Sequence, residues 1–550
     1  MTAMPPMSTD AVLTLDRLSV SLPKGADRSH AMQDVSLAIA ANEILCVVGE
    51  SGSGKSMTAN AIMRLLPSGV AIDGGRILFE GRDLAQADEA EMRRVRGAGI
   101  AMIFQEPMTA LNPLRTIGDQ IGEMFQIHSD LSRSEIAARV QSLLEEVRIP
   151  EPKTAAKAYP HELSGGQRQR AMIAMALALD PRVLIADEPT TALDVTTQAQ
   201  ILALIKDLQK RKGTAVLFIT HDFGVVAEIA DRVAVMQHGR VVEEGTAKAV
   251  LNNPQHAYTR QLIAAVPPLA APAPRVFSDE AILSIEHVSK TYRNGGFLGR
   301  GARVTHAVKD VSLTLPKGGT LGIVGESGSG KSTLARCIVR LIDPETGVIR
   351  LGDTDLLKLT RAEMREETRH IQMVFQDPFG SLNPRRKVGE LVAQGPIVHG
   401  TPPAEALTRA KDLFKLVGLD PASIDRYPHE FSGGQRQRIG LARALALEPE
   451  VLVADEAVSA LDVSVQAQVL RLLADLRARL GLSIVFITHD LRVAAQVCDL
   501  VAVMKNGEVV EAGPIGEVFG NPQHAYTQAL LASIPGQGFE RDRAAAAGPA

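Results

Sequence analysis

The stretch GESGSGKS stands at residues 49–56 and recurs, letter for letter, at residues 325–332. Both copies fit G-x-x-x-x-G-K-[ST], a loop in which glycines let backbone N–H groups converge on phosphate oxygens. Each follows an apolar run, ILCVVG or LGIVG, that reads as a buried strand, and each opens a helix whose N-terminal dipole adds to the attraction for phosphate. The positions this assigns to ATP are Gly49, Glu50, Ser51, Gly52, Ser53, Gly54, Lys55 and Ser56, then Gly325, Glu326, Ser327, Gly328, Ser329, Gly330, Lys331 and Ser332, with Thr333 offering a further hydroxyl. Lys55 and Lys331 would neutralise the β/γ phosphates, and Ser56 and Ser332 would ligate Mg²⁺. One such match can be a chance glycine turn. Two identical ones, each behind a strand, point to a chain that works with a pair of nucleotides.

The rest of the chain repeats with the loops. Lys55 and Lys331 lie 331 − 55 = 276 positions apart, and Gln105 in IFQEP matches Gln376 in VFQDP at an offset of 271. From Ser164 in LSGGQRQR and Ser432 in FSGGQRQR onward the offset is 268, shared by Asp187 and Asp455, by His221 and His489, and by the two NPQHAYT segments at Asn253 and Asn521. A constant order with such long offsets is a tandem domain duplication, not a short solenoid repeat. It divides the chain into an N-terminal tail (1–10), a first domain (11–265, with a tail segment at 251–265), a linker (266–281), a second domain (282–535, with a tail segment at 519–535) and a C-terminus (536–550) with no periodic apolar face, read as disordered. Pro267, Pro268, Pro272 and Pro274 argue against a helix in the linker, which reads as an extended, semi-rigid tether.

Each half opens with short alternating strands, ILSIEHVSKTY being the clearer case. The later runs RVLIADE, AVLFITHD and RVAVM read as buried parallel strands separated by helices. That order predicts an α/β fold around a mostly parallel sheet. Composition sets outer bounds. At 550 residues the chain exceeds a single core. A net charge of -4 shows no global excess of positive charge directed at nucleic acid. No apolar run approaches the roughly 18 to 20 residues that span a bilayer, and MTAMPPMSTD lacks the basic and apolar regions of a signal peptide, so a cytoplasmic protein is expected. Cys46, Cys337 and Cys498 are far apart, form no ligand-spaced cluster, and read as small core residues of a reducing compartment.

The remaining motifs supply chemistry. VLIADE and VLVADE put an acidic pair at a strand end: Asp187 and Asp455 would hold Mg²⁺, and Glu188 and Glu456 would polarise the attacking water as general bases. Gln105 and Gln376 would touch metal or water and report the γ-phosphate, and His221 and His489 would hold that phosphate. In SGGQ, Ser164 and Ser432 would donate to a γ-phosphate, Gly165, Gly166, Gly433 and Gly434 would let the backbone approach it, and each serine opens a helix that also includes Gln167 or Gln435. A lone Gln, His or SGG is usually structural. The fixed order of all of them, twice, is what gives them function.

These motifs, with ALD at Asp194 and Asp462, resemble an ATP-binding cassette ATPase, twice, over residues 11–265 and 282–535. FQEPMTALNP (104–113), FQDPFGSLNP (375–384) and the NPQHAYT tails are similar to the oligopeptide/dipeptide/nickel importer ATPases, in the fused arrangement of microcin C-type and glutathione-type peptide importers. The resemblance implies two P-loop NTPase domains, each with a RecA-like sheet core, an antiparallel β subdomain and a helical signature subdomain. It implies that the Walker A loop of one copy meets the SGGQ of the other, so that two ATP are sandwiched, with Asp194 and Asp462 coupling the sites. It also implies an ATPase that drives import through two membrane permease subunits fed by a periplasmic or extracellular solute-binding protein, peripheral on the cytoplasmic side of the inner membrane, with no nucleic acid as partner. The solute stays open among peptide, glutathione, nickel, opine and peptide antibiotic.

The two sites differ. Tyr292 in SKTY can stack on adenine where alignment puts Leu22 in the first copy, and Met57 stands where Thr333 offers its hydroxyl. The first site is therefore expected to bind ATP more weakly. Asp455-Glu456-Ala457-Val458 departs from the Asp-Glu-Pro-Thr of the first copy but keeps both carboxylates. The alternative reading is a soluble twin-cassette ATPase acting on ribosomes or nucleic acid. The short Pro/Ala-rich linker and the lack of zinc or coiled-coil insertions weigh against it.

Overall fold

The computed structural model describes residues 11–191, 193–267, 269, 275, 277, 280–294, 303–458 and 461–537. The tail 1–10, most of the 266–281 linker and nearly all of the 536–550 C-terminus lie outside them. The described chain forms two compact units, the first built chiefly from residues up to Val266 and the second from Pro267–Ile534.

In the first unit a six-stranded sheet runs Arg240–Thr246, Arg232–Gln237, Ile44–Val48, Ala215–Thr220, Val183–Asp187, Ile100–Ile103. Every pair is parallel except the outermost, Arg240–Thr246 with Arg232–Gln237. The second unit repeats this order with Glu508–Pro514, Leu500–Lys505, Thr320–Val324, Ser483–Thr488, Val451–Asp455 and Ile371–Val374. The three central strands of each sheet are buried along their whole length, which is why they read as unbroken apolar runs instead of alternating ones. Alternate residues serve opposite faces. Ile44, Cys46 and Val48 join one core with the helices, while Leu45 and Val47 join a second core with the antiparallel sheet.

That antiparallel sheet has four strands, ordered His30–Ala40, Ala11–Ser21, Ala71–Phe79, Arg82–Asp83. Its leading strands are not short, as the sequence suggested. Ala11–Ser21 has 11 residues and its counterpart Ala281–Asn294 has 14. Register shifts after Leu15 and after Ile285, next to Arg17 (φ 48) and His287 (φ 51), bend each ribbon while its apolar residues stay on the core. Helices Ile117–His128, Arg133–Glu146, Pro152–Lys157 and Gly165–Ala176 make the helical part of the first unit; Val388–Val398, Pro403–Leu416 and Gly433–Leu445 correspond to it in the second. Among the described residues no helix is long and apolar enough to cross a membrane.

All three cysteines are buried, as expected of core residues. Burial pushes the Cys337 thiol up to about 11, outweighing the nearby Lys290 charge that would favour a thiolate. Two of the cysteines record how the duplicated cores diverged. Gly322 holds the strand position of Cys46, and a Cβ there would lie 2.8 Å from Cys498 Sγ; the first copy has Ala230 where Cys498 stands. The bulk has moved from the strand to the end of the helix Leu491–Val497, just before the neighbouring strand. Gly322→Ala is expected to destabilise the protein by about 1–3 kcal/mol, and adding Cys498→Ala to recover part of that loss. Thermal unfolding of the two single variants and the double variant checks this coupling, and strictly additive effects would contradict it.

Candidate nucleotide sites

Both glycine loops are delivered by the central strand of their sheet, and the following helices, Lys55–Ile62 and Lys331–Ile338, start at the lysine. The loop threads beside neighbouring backbone. A Cβ on Gly49 would meet Met236 O at 2.2 Å, and one on Gly325 would meet Met504 O at 2.2 Å. Gly54 (φ 104) and Gly330 (φ 106) are left-handed and also crowded, Gly330 more so, with Ala31 O at 3.0 Å and Ala307 O at 2.0 Å from the added carbon. Gly52 and Gly328 have open space beside them and need glycine only for their φ of 76 and 79.

Lys55 and Lys331 are buried along the loop. Lys55 Nζ donates to the Gly49 and Glu50 carbonyls at 2.7 and 2.9 Å, Lys331 Nζ to those of Gly325 and Glu326 at 2.8 and 2.7 Å. Burial draws the Lys331 ammonium below its ordinary range, against the pull of the nearby carboxylates. Ser56 Oγ donates to Asp187 Oδ1 at 3.0 Å, and Ser332 Oγ to Asp455 Oδ1 at the same 3.0 Å. Burial, only partly offset by that hydrogen bond, pushes the Asp187 carboxyl up to about 6 and raises Asp455 as well.

The next residue of each pair is the centre of a polar cluster. Glu188 (φ 46) and Glu456 (φ 47) sit in the left-handed region at a strand end, where a glutamate is strained. Glu188 accepts from Gln105 Nε2 at 3.0 Å and from Thr191 Oγ1 at 2.9 Å, with His221 Nδ1 at 3.3 Å. Glu456 accepts from Gln376 Nε2 at 2.7 Å, with His489 Nδ1 at 3.4 Å. Burial would raise Glu188, but the histidine, Thr191 and Lys55 outweigh it and hold the carboxyl at about 2; Glu456 is lowered in the same way. His489, half-buried beside Glu456, is raised above the usual imidazole range because the carboxylate outweighs its desolvation. The glutamine and histidine that the sequence assigned separately to phosphate thus meet on the glutamate.

Ser164 and Ser432 open helices Gly165–Ala176 and Gly433–Leu445 through reciprocal caps. Each serine Oγ accepts the N–H of Gln167 or Gln435 at 3.3 Å, and that glutamine's Oε1 accepts the serine N–H at 2.9 Å. Among the described residues, the hydrogen bonds of Ser164 and Ser432 stay within their own helix caps. Gly165 and Gly433 have open space where a Cβ would stand, while Gly166 and Gly434 are pressed against Thr197 and Val465 at 2.7 and 2.4 Å. The second glycine of each SGG is required by packing, which the motif did not reveal. Asp462 is the N-cap residue of Val463–Leu480, and Asp194 directly precedes Val195–Lys212.

On the side of the second loop lies a cavity of about 630 Å³, lined by Tyr292, Val304, Lys331, Thr333, Gln376 and Glu456 among others. In the first unit Leu22 and Met57 pack against the apolar core instead. Arg28, which fills the position of Val304, donates to Gly52 O at 2.5 Å. Arg28 was missed in the sequence because the second copy has Val304 in its place, and Thr191, matched by Ser459, was passed over between the ADE and ALD motifs.

Comparison with known proteins fits this geometry. A family model described as "ABC transporter" matches residues 32–191 and again 308–459, and one described as "Oligopeptide/dipeptide transporter, C-terminal region" matches 242–288 and 510–549. The glutathione import ATP-binding protein GsiA of Escherichia coli O157:H7 is 48% identical over 560 residues, covering 95% of this chain and 89% of its own. The peptidoglycan transport ATP-binding protein YejF of Agrobacterium fabrum is 49% identical over 531 residues, covering 96% and 97%. The chain belongs to the ABC transporter family of ATP-binding proteins, with its cassette present twice. It is an ATPase whose tails are those of the oligopeptide/dipeptide branch.

Proposed function

We propose that the chain energises import of a peptide or peptide-like solute, working with two membrane permease subunits and an external solute-binding protein from the cytoplasmic face of the membrane. The observation that supports this best is the pairing of two complete Gln–Glu–His clusters, each beside its glycine loop, with two oligopeptide-type tails in one chain. The relatives are named for glutathione import and peptidoglycan transport, and both of those solutes contain peptide bonds, which supports a peptide-like class. Affinity purification from detergent-solubilised membranes is expected to bring down two polytopic membrane proteins. Recovery with ribosomes in their place would overturn the reading in favour of a soluble ATPase.

In each unit the loop N–H groups and lysine bind the β/γ phosphates, and Glu188 or Glu456 accepts a proton from the attacking water. Gln105 with His221, or Gln376 with His489, fixes the direction of that carboxylate. Catalysis of this kind is positioning and electrostatics. The paired oxygens of Ser56 with Asp187 and of Ser332 with Asp455 fit Mg²⁺, a hard cation that takes oxygen donors. When bound it would neutralise charge on the phosphate oxygens. SGGQ would present its serine and glycines to a γ-phosphate.

The first site is proposed to be the weaker one, since Tyr292 faces the second cavity and Leu22 is committed to core packing. Mg·ATP affinity measured in Lys331→Ala, which leaves the first site, should be roughly threefold to tenfold weaker than in Lys55→Ala. Equal affinities would count against the asymmetry.

A further inference from the structure

The two NPQHAYT segments take no part in the chemistry above, yet they fold identically and end on the glycine loops. In the first, the backbone N–H groups of Gln255 and His256 donate to the Glu243 carboxylate at 2.7 and 3.0 Å, and His256 Nδ1 caps helix Ala257–Ala265 by accepting the Tyr258 N–H at 3.2 Å. In the second, Gln523 and His524 donate to Glu511 at 2.8 and 3.1 Å, and His524 Nδ1 caps Ala525–Ala532 through the Tyr526 N–H at 3.1 Å. This clasp fixes where the tyrosine goes. Tyr258 is 6% exposed and Tyr526 7%, so each ring is buried and its hydroxyl must find a partner inside the protein.

That partner is the second residue of GESGSGKS. Glu50 N–H donates to Tyr258 Oη at 3.1 Å, and the same hydroxyl donates to Glu50 Oε2 at 3.3 Å. Glu326 N–H donates to Tyr526 Oη at 3.2 Å. The carbonyl of that same Glu50 or Glu326 accepts from the loop lysine. Burial pushes the Tyr526 phenol up to about 12, which keeps the hydroxyl protonated, and Lys505 Nζ lies 4.5 Å above its ring.

We propose that Tyr258 and Tyr526 are positioning residues for ATP binding: through the hydrogen bond that each hydroxyl accepts from the loop backbone, the C-terminal tail of a unit holds the glycine loop of that same unit in its phosphate-binding shape. The NPQHAYT segment is then an arm that makes nucleotide affinity depend on the docking of the tail. A loop already held in place gives up less conformational freedom when phosphate arrives, so the tyrosine strengthens binding and leaves the chemical step alone. This rests on the assignment of GESGSGKS as the phosphate loop.

The test is Tyr258→Phe and Tyr526→Phe in the full chain, because phenylalanine keeps the ring and its packing and deletes only the hydroxyl. Each variant is expected to raise KM for ATP roughly threefold to tenfold at the affected site, with kcat within about twofold. Hydrogen exchange gives the local readout: Tyr258→Phe should speed exchange of the Glu50 amide and spare that of Glu326, and Tyr526→Phe the reverse. A lower unfolding temperature with unchanged KM and unchanged exchange in both loops would mean that the tyrosine is only packing, and would overturn the proposal. The unsubstituted protein is the control for the underlying assignment. If it fails to bind ATP through the loops, as judged by Lys55→Ala and Lys331→Ala, that assignment falls first.

Discussion

Changing Glu188 and Glu456 together to glutamine is expected to lower the rate of ATP hydrolysis by roughly 10²- to 10⁴-fold, the range supplied by a positioned general base, while ATP binding persists. Glutamine keeps the shape of the side chain and can still meet Gln105 or Gln376, but it cannot take a proton. The carboxylates are held ready in an uncommon way. Each sits at positive φ, at the end of a buried strand, with a histidine nitrogen about one hydrogen bond away on one oxygen and a glutamine amide on the other. Strain at such a position persists only where the surroundings over-determine it. Phosphate release measured beside nucleotide affinity separates the two functions. A loss of less than tenfold in the double variant would remove the glutamates from the role of base.

Gly330→Ala is expected to abolish ATP binding at the second site and to destabilise its unit by about 2–4 kcal/mol. The added carbon would stand 2.0 Å from the Ala307 carbonyl oxygen, a backbone atom that cannot swing aside, at a φ of 106 that alanine avoids. Gly328→Ala is the internal comparison. It carries a left-handed φ of 79 but has open space beside it, so only the conformational cost of about 1–2 kcal/mol applies. Isothermal titration with nucleotide and thermal unfolding should rank Gly330→Ala well below Gly328→Ala. Equal behaviour would mean that the crowding at Ala307 has no role in shaping the loop.

Much of this was legible in the letters. Continuous apolar runs ending in G, DE or HD gave the buried parallel strands, because a strand covered on both faces has no polar alternation to confuse the reading. The glycine loop, the acidic pair and the SGG turn are local motifs whose chemistry follows from residue type and spacing, and their repetition at fixed offsets removed chance as an explanation. The length of the first ribbons was less legible. Strand Ala281–Asn294 carries a bulge near His287, which shifts its period-two pattern, so the letters do not show how far it runs.

What the sequence determined by itself was therefore the duplication, the α/β class, the two glycine loops and the place of the carboxylates at strand ends, the last two encoded within a few consecutive residues. What only the tertiary structure decided was who meets whom. Gln105 and His221 converge on Glu188 across separations of 83 and 33 positions, and Tyr258 reaches Glu50 across 208. Such contacts depend on strand order and on where each helix packs. The same is true of Gly322 beside Cys498, where a missing methyl in one strand is answered by a sulfur from the segment before the next. Close packing makes distant residues answer to one another, and no single stretch of chain carries that information.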